Sequence, residues 1–166
     1  MKVKRFENLA FRTQTVRSEQ KKHSTPLHLT SSFFFDDSAQ MKAMFADELE
    51  GNIYSRFSNP NVTELIEKIT LLEGAEAGWA TATGMAAIFL AFGALLSQGD
   101  HVLACRSIFG STHNILTNIL PSWGIETTFV DFDDTGNWDK AVRKNTRIIF
   151  VETPTNPGVD IIDLKW

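Results

Sequence analysis

The second half of the chain alternates short apolar stretches with segments of helical periodicity, and this alternation limits the possible folds more than any other feature. The apolar stretches predict strands at Gly78–Ala82, His101–Cys105, Thr127–Val130 and Ile148–Val151. Helices are predicted between them, at Met85–Leu96, around Asn114–Leu120, and with Trp138, Ala141 and Val142 facing inward. Because parallel strands need crossover connections that cover the faces of their sheet, the pattern predicts an α/β fold with a mainly parallel, four-stranded sheet flanked by helices.

A separate helix is predicted before the first strand, after Asn59-Pro60-Asn61. Asn61 is the predicted N-cap, with Glu64 three residues later as in a capping box, and Gly74 is the predicted end. The apolar side chains between them share one helical face: Val62, Leu65, Ile66, Ile69 and Leu72.

The N-terminal arm, residues 1–52, differs in kind from the rest of the chain. Residues 1–22 hold seven of the sixteen basic residues, and residues 24–52 show no persistent periodicity around the apolar patch Phe33–Phe35. We predict that the arm has no helix or sheet of its own and is ordered by packing on another subunit. At the other end, Asp160–Trp166 reads as the start of a further helix, so we expect the sequence to be part of a longer protein.

Composition excludes several classes of function. A net charge of −4 provides no basic field for nucleic acid. The uncharged run Ala77–Gly99 contains glycines and polar residues, so a buried strand and helix explain it better than a membrane span. The single cysteine and the lack of a leader pattern favour the cytoplasm. The four histidines show no ligand spacing, so we interpret them as surface or loop residues and predict no metal.

Three segments could carry chemistry, and each has a plainer interpretation. Thr83-Gly84-Met85 lies where a helix N-terminus could hold an anion, although a tight turn alone also favours glycine. Tyr54 and Arg56 lie two residues apart in a segment predicted to be extended, where both could grip one phosphate or simply face solvent. Glu152–Pro157 follows a buried strand, where open α/β sheets bind ligands, or is only an exit loop.

Six motifs in this order resemble the Cys/Met-metabolism family of pyridoxal-phosphate (PLP) enzymes, which have the aspartate-aminotransferase fold type. The resemblance runs from about Arg12 to Leu164. Its motifs are Thr13–Arg17, Thr30–Phe33, Tyr54–Pro60, Leu72–Glu76, Thr83–Ala87 and Glu152–Pro157. Phe109-Gly110-Ser111-Thr112 most resembles the O-succinylhomoserine sulfhydrylase branch, because many relatives have tyrosine at the first position. Residues 53–166 then correspond to an incomplete PLP-binding large domain.

The resemblance implies a phosphate site shared by two subunits. The amides of Gly84 and Met85 would hold the PLP phosphate in one subunit. Tyr54 and Arg56 would reach the same phosphate from the neighbouring subunit. The enzyme is therefore expected to be a homo-oligomer, a dimer of dimers assembled through the N-terminal arm.

The resemblance also implies contacts to the PLP ring. Phe109 would stack on the ring, Asn156 would hydrogen-bond its phenolic oxygen, and Glu152 would orient the loop that carries Asn156. The Schiff-base lysine is expected beyond Trp166, so we predict no catalytic residue in this chain and no activity for the chain alone.

For the whole enzyme, the resemblance implies a trans-sulfuration reaction of methionine biosynthesis. Its substrates would be an O-acylhomoserine, O-succinylhomoserine being favoured, and sulfide, and its product would be homocysteine. A cystathionine γ-synthase or a γ-lyase of the same family is the alternative. A non-catalytic, truncated interaction module is the alternative from another class.

Overall fold

The computed structural model describes residues 6–12, Lys21 and residues 24–164. The chain divides into two compact units, Met1–Ala80 and Thr81–Trp166. The motif Thr13–Arg17 and the last residues, 165 and 166, lie outside the described residues. None of the helices in the described ranges combines the length and the apolarity needed to cross a membrane.

The first unit contains helices α1 (Phe6–Arg12), α2 (Ser38–Phe45) and α3 (Pro60–Glu73). Our prediction that residues 1–52 lack a helix was therefore wrong. Helix α2 begins at a cap: the Asp37 carboxylate accepts a hydrogen bond from the Gln40 amide at 2.7 Å, and the Gln40 side chain accepts one from the Asp36 amide at 2.7 Å. Sequence periodicity missed α2 because it is short and only Met44 is buried on it.

Helix α3 begins two residues earlier than predicted. Its N-cap is Asn59, whose side chain accepts a hydrogen bond from the Asn61 amide at 3.0 Å, and Pro60 occupies the first turn, where its missing N–H costs nothing. Gly74 ends the helix in the left-handed conformation, with φ 64°, as its sequence predicted. No residue of α3 is buried among the described side chains, and Val62, Leu65 and Ile69 on its apolar face are 41%, 54% and 49% exposed.

Asn61, predicted as the cap, instead fastens the preceding segment to α3. Its side chain accepts a hydrogen bond from the His28 amide at 2.8 Å and donates one to the Pro26 carbonyl at 2.7 Å. The Asn59 side chain donates to the His28 carbonyl at 3.0 Å. Two asparagines therefore hold residues 26–28 in place with hydrogen bonds rather than with apolar packing.

The second unit is an alternating α/β structure with a parallel sheet, which confirms the predicted fold class. Its elements in chain order are α4 (Gly84–Leu95), β1 (His101–Cys105), α5 (Gly110–Asn114), β2 (Glu126–Val130), α6 (Thr135–Ala141) and β3 (Thr146–Phe150). Helix α5 continues as a π-helical turn, Ile115–Ile119, and a 3-10 turn, Leu120–Trp123. The strand order is β2-β1-β3, and both pairings are parallel.

Three details of the second half differ from the predictions. Gly78–Ala82 forms no strand and pairs with none of the described strands, so the sheet has three strands there rather than four. Residues 160–164 are not helical, and Val142 is exposed just after α6 instead of facing inward. An apolar run becomes a strand only where a neighbour completes its hydrogen bonds, and Gly78 further weakens this one.

The core of the second unit is built around β1, all five residues of which are buried. Phe92 of α4 packs on Phe150 of β3, with ring centroids 5.4 Å apart. Other large core side chains come from β1, from the helical segment that follows it and from α6, and they include Val102, Leu103, Ile115, Leu116, Leu120 and Trp138. Because β1 is buried along its whole length, the core holds in place the strand end from which the loop to Phe109 begins.

His101, which we interpreted as a surface residue, is fully buried at the start of β1. Its Nδ1 lies 2.8 Å from Thr146 Oγ1 on β3, and its Nε2 lies 2.9 Å from Thr128 Oγ1 on β2. Burial, and secondarily the positive charge of Arg143, lower the pKa of His101, while Glu126 opposes this shift. The imidazole thus links all three strands in its neutral form.

Candidate cofactor site

The strand order changes direction at the central strand, and this topology predicts a crevice at the carboxyl edge of the sheet. From the central strand β1 the chain passes to β2 on one side and then returns to β3 on the other side. The loops that leave β1 and β3 thus follow neighbouring strands at the point where the strand order changes direction, and open α/β sheets bind ligands at such a point. We call this the switch-point crevice and define it by residues 106–109 and 151–157.

Phe109 and Glu152 meet across the switch-point crevice. The Phe109 amide donates a hydrogen bond to Glu152 Oε2 at 2.9 Å, although 43 residues separate them in sequence. The strand ends that carry them are neighbours, since Ala104 pairs with Phe150. The Phe109 ring is 42% exposed and is therefore available to a ligand.

Asn156 lies on a loop that is held by its own hydrogen bonds. The buried Thr155 donates from Oγ1 to Asp160 Oδ2 at 3.0 Å and accepts from the Asp160 amide at 2.9 Å. The Ile162 amide donates to Thr153 Oγ1 at 3.1 Å. Asn156 itself is exposed between these anchors, so its amide is presented by a fixed backbone.

The N-terminus of α4 has two backbone amides that could donate hydrogen bonds to a ligand. Thr83 caps the helix, with Oγ1 accepting from the Ala86 amide at 3.1 Å, and the first helical hydrogen bond joins Ala87 to Thr83. Within residues 6–12, 21 and 24–164, the amides of Gly84 and Met85 have no acceptor. The space beside Gly84 is open, because a Cβ there would meet no atom within 4 Å.

Helix α4 also points this end towards the correct edge of the sheet. A tight turn at residues 97–100, closed by the hydrogen bond from the Asp100 amide to the Ser97 carbonyl at 3.0 Å, leads from α4 into β1. Helix and strand consequently run in opposite directions, and the start of α4 faces the same edge as the end of β1. An anion is favoured there by the free amides and by the helix dipole.

Tyr54 and Arg56 lie in the first unit, where they contact each other. Residues 55–57 form a turn, closed by the Phe57 amide on the Tyr54 carbonyl at 2.8 Å, so the prediction of an extended segment was wrong here. The turn still brings the Arg56 guanidinium to 5.9 Å from the centroid of the Tyr54 ring. The backbone on either side of Tyr54 is held by an antiparallel bridge to Ser32, in which the Phe33 amide donates to the Ile53 carbonyl at 3.2 Å and the Ser55 amide to the Ser31 carbonyl at 2.8 Å.

The seven predicted site residues thus fall into two groups. Gly84, Met85, Phe109, Glu152 and Asn156 belong to the second unit, and Tyr54 and Arg56 belong to the first. Sequence reasoning did not assign Thr83 as the N-cap of α4, and it missed Thr155. The threonine before Gly84 carries a recognisable N-cap signal, whereas nothing local marks Thr155. No group of three metal-ligating side chains occurs in the part of the chain that the structure describes.

These features define a class: a parallel α/β protein with free backbone amides at a helix N-terminus and an exposed aromatic ring at the topological switch point. The family model described as "Cys/Met metabolism PLP-dependent enzyme" matches residues 9–166. The chain therefore belongs to this family, and the cofactor of the family is PLP.

Individual relatives agree with this membership. An O-succinylhomoserine sulfhydrylase of Mycobacterium tuberculosis is 42% identical over 90% of this chain and 37% of its own length. An L-methionine gamma-lyase of Porphyromonas gingivalis is 39% identical over 86% of this chain and 36% of its own length. The chain thus spans well under half of these relatives.

A solved structure shows the same fold with the cofactor in covalent form. A Campylobacter jejuni protein assigned as an O-acetylhomoserine (thiol)-lyase matches with a TM-score of 0.87 and 35% identity, over 95% of this chain and 39% of that one. That protein carries N'-pyridoxyl-lysine-5'-monophosphate at its position 205. The groups present here suit PLP: free amides for a phosphate, an exposed ring for a pyridine, and an amide side chain for a phenolic oxygen.

Proposed function

We propose that the protein carrying this chain is a PLP-dependent γ-replacement enzyme that forms homocysteine from O-succinylhomoserine and sulfide. The observation that carries the proposal is the switch-point crevice, with Phe109 exposed and tied to Glu152. The 42% identity to an O-succinylhomoserine sulfhydrylase supports this choice of substrate.

The phosphate would be bound from two sides. The amides of Gly84 and Met85 would donate hydrogen bonds to it, and the α4 dipole would favour its charge. Tyr54 and Arg56 would donate from a neighbouring subunit, with the guanidinium making charge-assisted hydrogen bonds. Their mutual contact in the turn at 55–57 supports this role, because it brings phenol and guanidinium together before any ligand is bound.

The ring would be held by Phe109 and Asn156. Phe109 would stack on one face, and the Asn156 amide would donate to the phenolic oxygen. When bound, PLP supplies an electron sink that lets protons leave the carbons next to the substrate amine. Phe109 has no hydroxyl group, so we infer that it moves no proton in this reaction and that its role is stacking alone.

The lysine that binds PLP covalently is expected beyond Trp166. The two described lysines of the second unit, Lys140 and Lys144, lie at the end of α6 and before β3, which is the opposite edge of the sheet from the switch-point crevice. Borohydride treatment of the 166-residue chain with PLP should therefore trap no stoichiometric pyridoxyl-lysine. Such an adduct would contradict our placement of the lysine.

The N-terminal arm would serve assembly. Its described apolar side chains include Leu29, which is 91% exposed, and Phe34, which is fully exposed, and both would gain by packing on another subunit. We propose a homotetramer, built as a dimer of dimers, on this basis. A cytoplasmic location stays a prediction from the sequence.

Two other functions are tested by the same assay. A γ-lyase activity is favoured by the 39% identity to an L-methionine gamma-lyase. A non-catalytic module is the remaining alternative.

The full-length protein should show the absorbance of bound PLP and should release homocysteine and succinate only when O-succinylhomoserine and sulfide are both present. Turnover of methionine or of O-succinylhomoserine without sulfide would identify a lyase. Absence of PLP absorbance and of all turnover would identify the module.

A further inference from the structure

The backbone of Phe109 is tied at both of its polar atoms. Its amide donates to Glu152 Oε2 at 2.9 Å, and its carbonyl accepts from the His113 amide at 3.0 Å in the first turn of α5. The preceding residue, Ile108, is buried in the core. The half-exposed Phe109 ring thus projects from a backbone that has no free polar group.

Helix α5 has no N-terminal cap of its own. Its N-cap position is Phe109, and no side chain near it in sequence caps the helix. A helix start normally needs a side-chain acceptor close by, and losing one is costly. Glu152, from the loop after β3, supplies that acceptor across the switch-point crevice, with a charge of the sign that a helix N-terminus favours.

We propose that Glu152 is a positioning residue that sets the height of the Phe109 ring above the cofactor by capping α5 from the neighbouring strand. This proposal rests on the proposed function, in which Phe109 covers the PLP ring. It differs from the sequence-based expectation, in which Glu152 orients the loop that carries Asn156.

A carboxylate in a ligand crevice could also accept a proton from a substrate. Glu152 already accepts a hydrogen bond from the Phe109 amide, and that bond joins the loop after β1 to the loop after β3. The geometry therefore assigns Glu152 to positioning.

The test is a double-mutant cycle in the full-length protein, read by the PLP dissociation constant. Glu152→Ala should raise that constant about tenfold, the size of a lost helix cap. Glu152→Gln keeps a carbonyl acceptor and should raise it about two- to threefold, since only the charge is lost. Asp139→Ala, at an exposed carboxylate on α6, is the matched control and should change nothing.

The cycle is completed with Phe109→Leu. If Glu152 acts through Phe109, the double variant Glu152→Ala/Phe109→Leu should bind PLP no more weakly than Phe109→Leu alone. The proposal would be overturned if the PLP dissociation constant of the double variant rose by the product of the two single-variant factors, because Glu152 would then act on the cofactor independently of Phe109.

A second readout does not depend on the cofactor. Backbone amide exchange of residues 109–113, followed by mass spectrometry without PLP, should quicken in Glu152→Ala and be nearly normal in Glu152→Gln. Unchanged exchange in both would overturn the proposal. If Phe109→Leu leaves PLP binding intact while exchange still quickens in Glu152→Ala, the stacking role fails and the capping role stands.

Discussion

The two compact units differ in how far their apolar side chains are buried. In the second unit, β1 is buried throughout and Phe92 is only 2% exposed. In the first unit, only Met44 and Asn59 are buried among the described residues, while Phe34 is fully exposed. The first unit is held by hydrogen bonds from asparagines, the second by a core. The second unit thus has a buried core of its own, and we propose that the first presents its exposed apolar side chains to another subunit.

The largest expected effect tests that contrast with one substitution in each unit. Phe92→Ala should lower the free energy of unfolding by about 3–5 kcal/mol, because it leaves a cavity beside Phe150. Phe34→Ala should leave the unfolding of the isolated chain nearly unchanged and should weaken subunit association in the full-length protein. Urea unfolding and sedimentation measure the two quantities. Equal losses of unfolding free energy would show that Phe34 is packed.

The next effect concerns the division of the phosphate site between subunits. Arg56→Ala in the full-length protein should raise the PLP dissociation constant at least about tenfold, since a charged hydrogen bond contributes roughly 1.5–3 kcal/mol. Arg147→Ala, at an arginine that pairs with Asp100 at the other edge of the sheet, is the control. Mixing Arg56→Ala subunits with Gly84→Asp subunits should restore some active sites. If no hybrid regains activity, Arg56 serves its own subunit.

A smaller effect is expected from His101, which is buried in its neutral form. Its pKa is lowered in the folded chain, whereas the unfolded chain has an ordinary imidazole with a pKa near 6.5. Above pH 6.5 both states are neutral and stability is full. As the pH falls below 6.5, the unfolded state binds the proton first, and the unfolding free energy should fall by at most about 1.4 kcal/mol per pH unit.

Two variants isolate the His101 contribution. His101→Gln should flatten the change in unfolding free energy between pH 7.5 and 5.5, at the expense of a lower value at neutral pH. His113→Gln removes an exposed histidine instead and is the matched control. The same slope in His101→Gln would mean that other groups cause the acid sensitivity.

The smallest effect is expected from adding a hydroxyl group to Phe109. Phe109→Tyr in the full-length protein should change the PLP dissociation constant less than about twofold, because stacking does not need the hydroxyl, while turnover should shift modestly. Phe109→Leu should weaken PLP retention by roughly 0.5–1.5 kcal/mol. Titration of the apoenzyme with PLP measures both, and unaltered affinity in the leucine variant would place Phe109 in the core instead.

The sequence predicted what depends on local pattern. The limits of β1 and the end of α3 at Gly74 were correct, because alternation of apolar segments and a left-handed glycine are local signals. Burial of His101 was missed because its two threonine partners lie 27 and 45 residues away on other strands. The bond from Phe109 to Glu152 was missed for the same reason, since it exists only after β1 and β3 become neighbours.

The order of the strands has a consequence for how the chain folds. The central strand β1 is synthesised first and pairs over 25 residues with β2, His101 facing Glu126, and over 45 residues with β3, His101 facing Thr146. Closing the longer loop costs more chain entropy, so β3 should join last. Until β3 joins, β1 has one unpaired edge, and the two loops that line the switch-point crevice, residues 106–109 and 151–157, are far apart. The crevice therefore comes into being only at the final step of sheet assembly, which makes ligand binding a late reporter of folding.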